Sequence, residues 1–306
     1  MPYISIVTTL YKSEEFIEEF YQRSKSAVQN ITNDYEMIFV DDGSPDKSIE
    51  IVKKIINEDK KIRLIELSRN FGHHKAILTG LEYASGEFIF LNDCDLEVKP
   101  EYLLDFYTVM QDGLNNDVVY GYMQKRGGSL FKRLPERFFY KFFNHIANVN
   151  ISENILLARL MKKEYKKNLL MFKESHIFLL GLLELTGYKQ IGIPIIKTSK
   201  GSTTYSLMKK LALASDGVFS FSIKPVIYIS LTGMLISFIS FCFIIHLIFN
   251  KFIYQEILSG WTSVMVSLWF IGGLIITSIG IIGIYIGKIF IQAKNRPNAI
   301  IKRIYP

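Results

Sequence analysis

The sequence predicts an α/β fold built on an open, doubly wound, mostly parallel sheet. Three observations predict it. Short apolar runs alternate with helical periodicity through the N-terminal third, two of those runs end directly in paired acids, and charge disappears from two long stretches near the C-terminus.

Ile4 to Thr9 is a β-rich apolar run and predicts the first strand, with Ser13 placed to cap a helix from Glu14 to about Val28. Tyr35 to Val40 predicts a second strand, which runs into Asp41-Asp42-Gly43-Ser44-Pro45-Asp46. Ser44 is suited to cap the next helix with Pro45 in its first turn, and Ile49, Ile51, Val52, Ile55 and Ile56 mark that helix's buried face. Arg63 to Leu67 predicts a third strand, Ala76 to Ala84 part of a third helix, Phe88 to Leu91 a fourth strand, and Asp117 to Gly121 a fifth. Strands separated by helices imply parallel crossovers.

The acids carry the chemistry. Phe88 to Leu91 leads into Asp93-Cys94-Asp95, an Asp-x-Asp at a strand end, and open α/β sheets bind ligands at the carboxyl edge of their strands. Two carboxylates there suit a hard divalent cation such as Mg²⁺ or Mn²⁺, which in turn grips a diphosphate. Asp41 and Asp42, at a second strand end, suit ribose hydroxyls or a base edge. No Gly-x-Gly-x-x-Gly follows the first strand and no Gly-x-x-x-x-Gly-Lys-Ser/Thr occurs, so the two common phosphate-loop readings fail. Cys94 and Cys242 are the only cysteines, which leaves neither a disulfide framework nor a four-cysteine zinc site.

Hydrophobic residues make up 49% of the 306, the mean hydropathy is +0.20 and the formal charge is +7. Val226 to Asn250 and Ile257 to Gly287 contain no Asp, Glu, Lys or Arg, and each exceeds the ~20 residues that span a hydrocarbon core, so two transmembrane helices are expected. Lys209, Lys210 and Lys224 precede the first, while Lys288, Lys294, Arg296, Lys302 and Arg303 follow the second. The positive-inside rule then places both ends in the cytoplasm, and the absence of a secretory signal pattern at Met1–Val7 agrees. Leu207 to Phe221 reads as a juxtamembrane amphipathic helix. The segment from Leu130 to Asn144 interleaves Lys132, Arg133, Arg137 and Lys141 with aromatics, as interfacial helices do. Nucleic acid is not expected as a partner, because it would leave the apolar segments without a role. The expected organisation is a catalytic domain over 1–205, a juxtamembrane helix over 206–225, and a two-helix membrane region with a short basic cytoplasmic tail over 226–306.

Over nearly its whole length the chain resembles the membrane-bound polyprenyl-phosphate glycosyltransferases of the dolichyl-phosphate mannose synthase type, family-2 glycosyltransferases of GT-A fold. The resemblance lies in Phe39-Val-Asp-Asp-Gly-Ser44, Leu67-Ser-Arg-Asn-Phe-Gly-His73, Asp93-Cys-Asp-Leu96 with Pro100-Glu101, Asp117-Val-Val-Tyr-Gly121, Arg159-Leu-Met161, and Ser220-Phe-Ser222 with Pro225. It implies that Thr9, Tyr11, Glu14 and Asp42 hold the nucleotide, that Arg69 lies near the donor, and that Asp93 and Asp95 serve the diphosphate and its metal. Arg159 and Glu153 join these two acids as catalytic candidates. Lys125, Arg126, Lys132, Arg133 and Lys200 are candidates for the lipid phosphate.

The chain departs from the pattern on the acceptor side. Leu156, Leu157 and Ala158 stand where the family carries Gly-Asp-Phe, and Glu97-Val98-Lys99-Pro100 stands for Gln-Asp-Pro-Pro. Lys197 to Tyr205 keeps Lys200 and Tyr205 but has Thr204 where a base is usual. The expected function is inverting transfer of a sugar from a nucleotide-diphosphate sugar to an undecaprenyl-type phosphate at the cytoplasmic membrane face, serving a cell-surface glycan or lipopolysaccharide. The alternatives are transfer to a hydroxyl of a lipid-linked glycan and a degenerate nucleotide-sugar-binding protein. Membrane lipids are expected partners, and a homo-oligomer is compatible with the sequence.

Overall fold

A computed structural model describes residues 2–112, 115–123, 155–174, 177, 179–197, 224–254 and 260–306. It divides into two compact units. One joins the N-terminal part of the chain to residues 295–306, and the other contains the two long apolar helices.

The first unit is organised by an eight-stranded sheet in the order β7-β5-β6-β4-β1-β2-β3-β8. Its strands are β1 (Ile4–Leu10), β2 (Tyr35–Asp41), β3 (Ile62–Leu67), β4 (Phe88–Leu91), β5 (Val118–Met123), β6 (Ile155–Lys162), β7 (Gln190–Ile195) and β8 (Ile301–Tyr305). The middle four, β4, β1, β2 and β3, are parallel, whereas β6 runs antiparallel to both β4 and β5. The expected doubly wound sheet is therefore present, with an antiparallel insertion that alternation of strand and helix does not announce.

Helices α1 (Ile17–Gln29), α2 (Ser48–Glu58), α3 (His73–Tyr83), α4 (Tyr102–Gln111), α5 (Lys163–Leu169) and α6 (Leu179–Leu185) surround the sheet. Ile4, Ile6, Met37, Phe39, Leu64, Phe88 and Phe90 form one core with Phe20, Val28, Val52, Leu103 and Phe106 from α1, α2 and α4. α3 closes on the opposite face, where Gly80 admits Val7 and Val40 so closely that a Cβ would lie 2.6 Å and 2.9 Å from their methyl carbons. With both faces covered, every residue of β2 is buried, as expected of a central parallel strand.

Two predicted caps are corrected. α1 begins at Ile17, and the Ser13 hydroxyl instead accepts the Tyr11 N–H at 3.1 Å. α2 begins at Ser48, because Asp46 rather than Ser44 meets its first turn: Asp46 Oδ1 accepts the Ser48 N–H at 3.2 Å and its hydroxyl at 2.6 Å. The Ser44 hydroxyl is occupied by the Lys12 N–H and by Asp46.

The C-terminal residues, read from the sequence as a basic tail, form the edge strand β8, antiparallel to β3 with Glu66 opposite Arg303. Buried Glu66 receives Lys302 Nζ at 2.6 Å and the Tyr305 hydroxyl at 2.8 Å. Burial alone raises its carboxyl, but these two donors outweigh it and hold it below the usual range.

Among the described residues the second unit contains α7 (Lys224–Tyr254) and α8 (Trp261–Ala293). Among the described residues, one stretch, Phe270–Ala293, is long and apolar enough to cross a membrane, with a mean hydropathy of 2.2.

Candidate active site

β1, β2 and β4 end at the same edge of the sheet, and each delivers polar side chains there. Parallel pairing aligns Leu10 with Asp41, and Val7 with Leu91, so the loops after the three strands share one rim.

The β2 loop is built around two buried acids with different duties. Asp41 is fully buried, and its Oδ2 accepts the N–H groups of Gly43 at 3.1 Å and Ser44 at 3.2 Å, while Oδ1 lacks a partner among the described residues. Burial pushes its carboxyl up to about 6, against the pull of those two N–H groups. Asp42, also buried, accepts the N–H of Phe71 at 2.7 Å and of Gly72 at 3.0 Å, so both its oxygens clamp the loop that leads into α3. Burial raises its carboxyl and the two amides oppose the shift.

Gly43 lets these loops meet. Its φ is +66°, and a Cβ there would lie 2.5 Å from Asn70 N and 2.6 Å from Arg69 C. Arg69 stacks 4.3 Å from the Phe71 ring centroid and donates to the Asn70 carbonyl, which leaves it at the rim. Glu14 and Asp46 are tied reciprocally: the Glu14 N–H donates to Asp46, and the Lys47 N–H donates to Glu14. Burial raises the Asp46 carboxyl, but the hydroxyls of Ser44 and Ser48 overcome this and bring it down to about 2. Tyr11 projects from the rim, 49% exposed.

The β4 loop supplies Asp93 and Asp95. The His73 ring bridges two strand ends, with Nδ1 3.0 Å from the Thr9 hydroxyl and Nε2 3.4 Å from Asp93 Oδ1. Asp95 Oδ1 accepts the Glu97 N–H at 2.9 Å. Desolvation raises both carboxyls, and each is further influenced by charge nearby: His73 stabilises the anion of Asp93, and Asp95 opposes it. Lys197, just beyond β7, pairs with Glu97 and so closes the far side of this loop. Leu96 adopts φ +59°, a conformation that a bulky residue holds only when its surroundings impose it. Leu96 and Cys94 are both buried, which anchors the turn between the acids and the core.

Arg159 faces a different environment. It aligns with Leu91 across β4 but is 1% exposed, and its guanidinium donates to the carbonyls of Leu156 and Leu157. The cavity beside it measures about 10 Å³ and is lined by Tyr120, Glu184 and Gln190, enough for one water. Among the described residues it forms no ion pair with Asp93 or Asp95. Lys125, Arg126, Lys132, Arg133, Glu153 and Lys200 lie outside the described residues, as does the expected juxtamembrane helix.

The structure thus brings Thr9, Asp93 and Asp95 together, with Asp41 and Asp42 on the neighbouring loop, and adds His73, Asn92 and Lys197. Buried Asn92 donates to the Val98 carbonyl and keeps an unpartnered Oδ1 among the described residues, so it shapes the acidic loop from below. His73 ended a motif already visible in the sequence; its role was hidden because it acts across 64 residues, to Thr9.

The donor set fits a hard divalent cation. Asp93 and Asp95 offer oxygen ligands of unfavourably close like charge, which a cation relieves. Two carboxylates with the remaining ligands taken from substrate phosphates and water is a usual Mg²⁺ arrangement. Among the described residues no three His, Cys, Asp or Glu side chains gather as a metal cage.

Comparison with known proteins agrees with this edge. The model of glycosyl transferase family 2 matches residues 5–170, which include every strand-end acid described above. A protein described as "Putative glycosyltransferases" from Mycobacterium tuberculosis is 41% identical over 99% of this chain and 88% of its own length. A prophage bactoprenol glucosyl transferase homolog of Escherichia coli is 30% identical over 98% of this chain and 99% of its own. The bactoprenol glucosyl transferase of Shigella phage SfII is 30% identical over 98% and 97%. Among solved structures, the mannosyltransferase PcManGT from Pyrobaculum calidifontis, in complex with GDP-Man and Mn²⁺, shares the fold. Its TM-score is 0.51 at 17% identity, over 72% of this chain and 63% of that one. With its GT-A α/β sheet and acid-bearing strand ends, this chain belongs to glycosyl transferase family 2.

Proposed function

We propose that this glycosyltransferase moves a sugar from a nucleotide-diphosphate sugar to a polyprenyl phosphate at the cytoplasmic face of a membrane, with inversion. The observation that carries the proposal is the convergence of Asp93, Asp95 and the Asp41 loop on one sheet edge, in a chain similar end to end to bactoprenol glucosyl transferases.

In this reading the Asp41 Oδ1, buried and without a partner among the described residues, accepts a hydrogen bond from the nucleoside, and Thr9 and Tyr11 border the same place. Asp42 keeps the loop to α3 in position from within. Asp93 and Asp95 would hold Mg²⁺ or Mn²⁺, which would supply the positive charge that the departing diphosphate needs. His73 orients Asp93 by its hydrogen bond to Thr9. A phosphate monoester has a second pKa near ~6 and is largely dianionic at neutral pH, so its oxygen attacks the anomeric carbon without a strong base. The new bond is phosphate oxygen to anomeric carbon. The bond to the nucleoside diphosphate breaks, and that group leaves with the electron pair. Leu157 in place of an acid is compatible with this acceptor.

Chain connectivity supports two membrane crossings. The strands on either side of the apolar segment, β7 before α7 and β8 after α8, belong to one sheet, so the chain leaves the catalytic unit and returns to it. A crossing by Phe270–Ala293 then requires a second, and α7, at 31 residues, is long enough. Both termini then face the catalytic side.

The test is to incubate the purified chain with labelled nucleotide sugars and undecaprenyl phosphate. A lipid product cleaved by mild acid is expected. No lipid product with any donor, alongside transfer to a lipid-linked glycan supplied in a parallel reaction, would identify a hydroxyl acceptor and overturn the phosphate reading.

A further inference from the structure

A second basic site lies away from the acidic edge. A cavity of about 530 Å³ runs along the outer face of α3, bounded by α5, the residues following it, and the segment from Pro297 to Ile301 that leads into β8. Lys75, Lys163, Lys166, Lys167 and Lys173 line it, against a single acid, Glu82. Between them lie Leu78, Leu170, Phe172, Pro297, Ala299 and Ile301. Its size falls within the roughly 300–1,000 Å³ of small-molecule sites.

This combination is selective. A groove for a free anion needs donors and has no use for an apolar floor, while a groove for a fatty chain needs no lysines. Lysines around an apolar floor match an amphiphile with an anionic head. Lys166 is buried among them with its ammonium donating to the Ala84 carbonyl at 2.8 Å. Burial and the nearby Lys163 disfavour its charge and outweigh the support of Glu36 and Glu82, and an anionic head would add to that support.

Connectivity says where such an amphiphile comes from. Pro297, in the groove's wall, follows the last residue of α8, Ala293, by four positions, so the wall is continuous in sequence with the end of the apolar helix. We propose that this groove binds the phosphate head of an anionic membrane phospholipid, with the first methylenes of its chains against Leu170 and Phe172. The proposal rests on the membrane reading of α8 and not on the identity of the transferred sugar.

The test uses the full chain in neutral phosphatidylcholine nanodiscs, titrated with short-chain phosphatidylglycerol below its micelle concentration. Saturable binding is expected, with weak competition by inorganic phosphate and by short-chain phosphatidylcholine. Each lysine at an anionic lipid surface is worth about fivefold, so Lys167→Gln with Lys173→Gln weakens binding by about 25-fold. Both side chains are exposed, and nucleotide binding by the double variant, unchanged, certifies its fold. Phosphatidylglycerol binding that is non-saturable, or equal in the double variant, overturns the proposal. Competition by inorganic phosphate at equal concentration overturns the lipid assignment in favour of a free-anion site. Failure of the chain to remain with nanodiscs at all would instead count against the membrane reading, and is seen separately.

Discussion

Replacing Gly43 by alanine tests whether the contact between the β2 loop and the α3 approach is what assembles the rim. At φ +66° an alanine pays about 1–2 kcal/mol of left-handed strain, offset by about 0.4–1 kcal/mol from the unfolded state. Its Cβ would sit 2.5 Å and 2.6 Å from backbone atoms of Asn70 and Arg69, where non-bonded carbons settle near about 3.5–4 Å. Backbone on both sides cannot rotate away, so the 69–72 segment must move by about 1 Å. That movement pulls Phe71 and Gly72 off Asp42, and losing one charge-assisted bond costs about 1.5–3 kcal/mol. The total is about 3 kcal/mol, and with a urea slope of about 1–3 kcal/mol/M the midpoint falls by about 1.5 M. Pulse proteolysis of the detergent-solubilised chain in urea measures it. Gly187→Ala is the control, with φ +71° and no atom within 4 Å of the added carbon; strain alone costs it about 1 kcal/mol. Equal losses in the two variants, or none in Gly43→Ala, would refute the packing argument.

Asp41→Asn separates stability from function. The carboxyl titrates near 6 when folded and near 3.8 when unfolded. The folded state therefore binds the extra proton, and stability on this group's account rises as pH falls from about 6 to about 4. At pH 7.5 the asparagine variant is expected to be more stable, by up to about 3 kcal/mol, to lack that rise in urea titrations, and to bind nucleotide more weakly by calorimetry. For the edge strand, Tyr305→Phe removes one donor from buried Glu66 and costs about 1–2 kcal/mol, read as earlier amide exchange in β8 and β3. Because Glu66 is held below its usual value, the anchor's contribution is present above about pH 4 and lost as pH falls further, so exchange in the two strands should converge between wild type and variant in acid.

The parts of this fold that were legible in the sequence are those set by local pattern. β4 was located to the residue, and the strand-end acids stood out because apolar runs stop abruptly at them. β8 was hidden because Ile-Lys-Arg-Ile-Tyr is a short five-residue run with two adjacent basic residues and no alternation, and its partner lies more than two hundred positions away. β6 is not predicted as a strand at all, and its antiparallel direction is not encoded in hydrophobic pattern. Ser13 and Ser44 resembled helix caps because serine serves turns and caps by the same chemistry; here their hydroxyls bind loop amides and Asp46 starts α2. At the site, residue type revealed Asp93 and Asp95, but the unlike duties of Asp41 and Asp42 emerge only from where each carboxylate's hydrogen bonds go.

The proposed metal at Asp93 and Asp95 is one on which donor binding and transfer would both depend. Calorimetric titration of a nucleotide-diphosphate sugar into the purified chain, with Mn²⁺ or with chelator, tests it most directly when Asp95→Asn is run alongside. Saturable binding with Mn²⁺, its loss with chelator, and no metal-dependent component in Asp95→Asn are expected. Undiminished metal-dependent binding in that variant would contradict it.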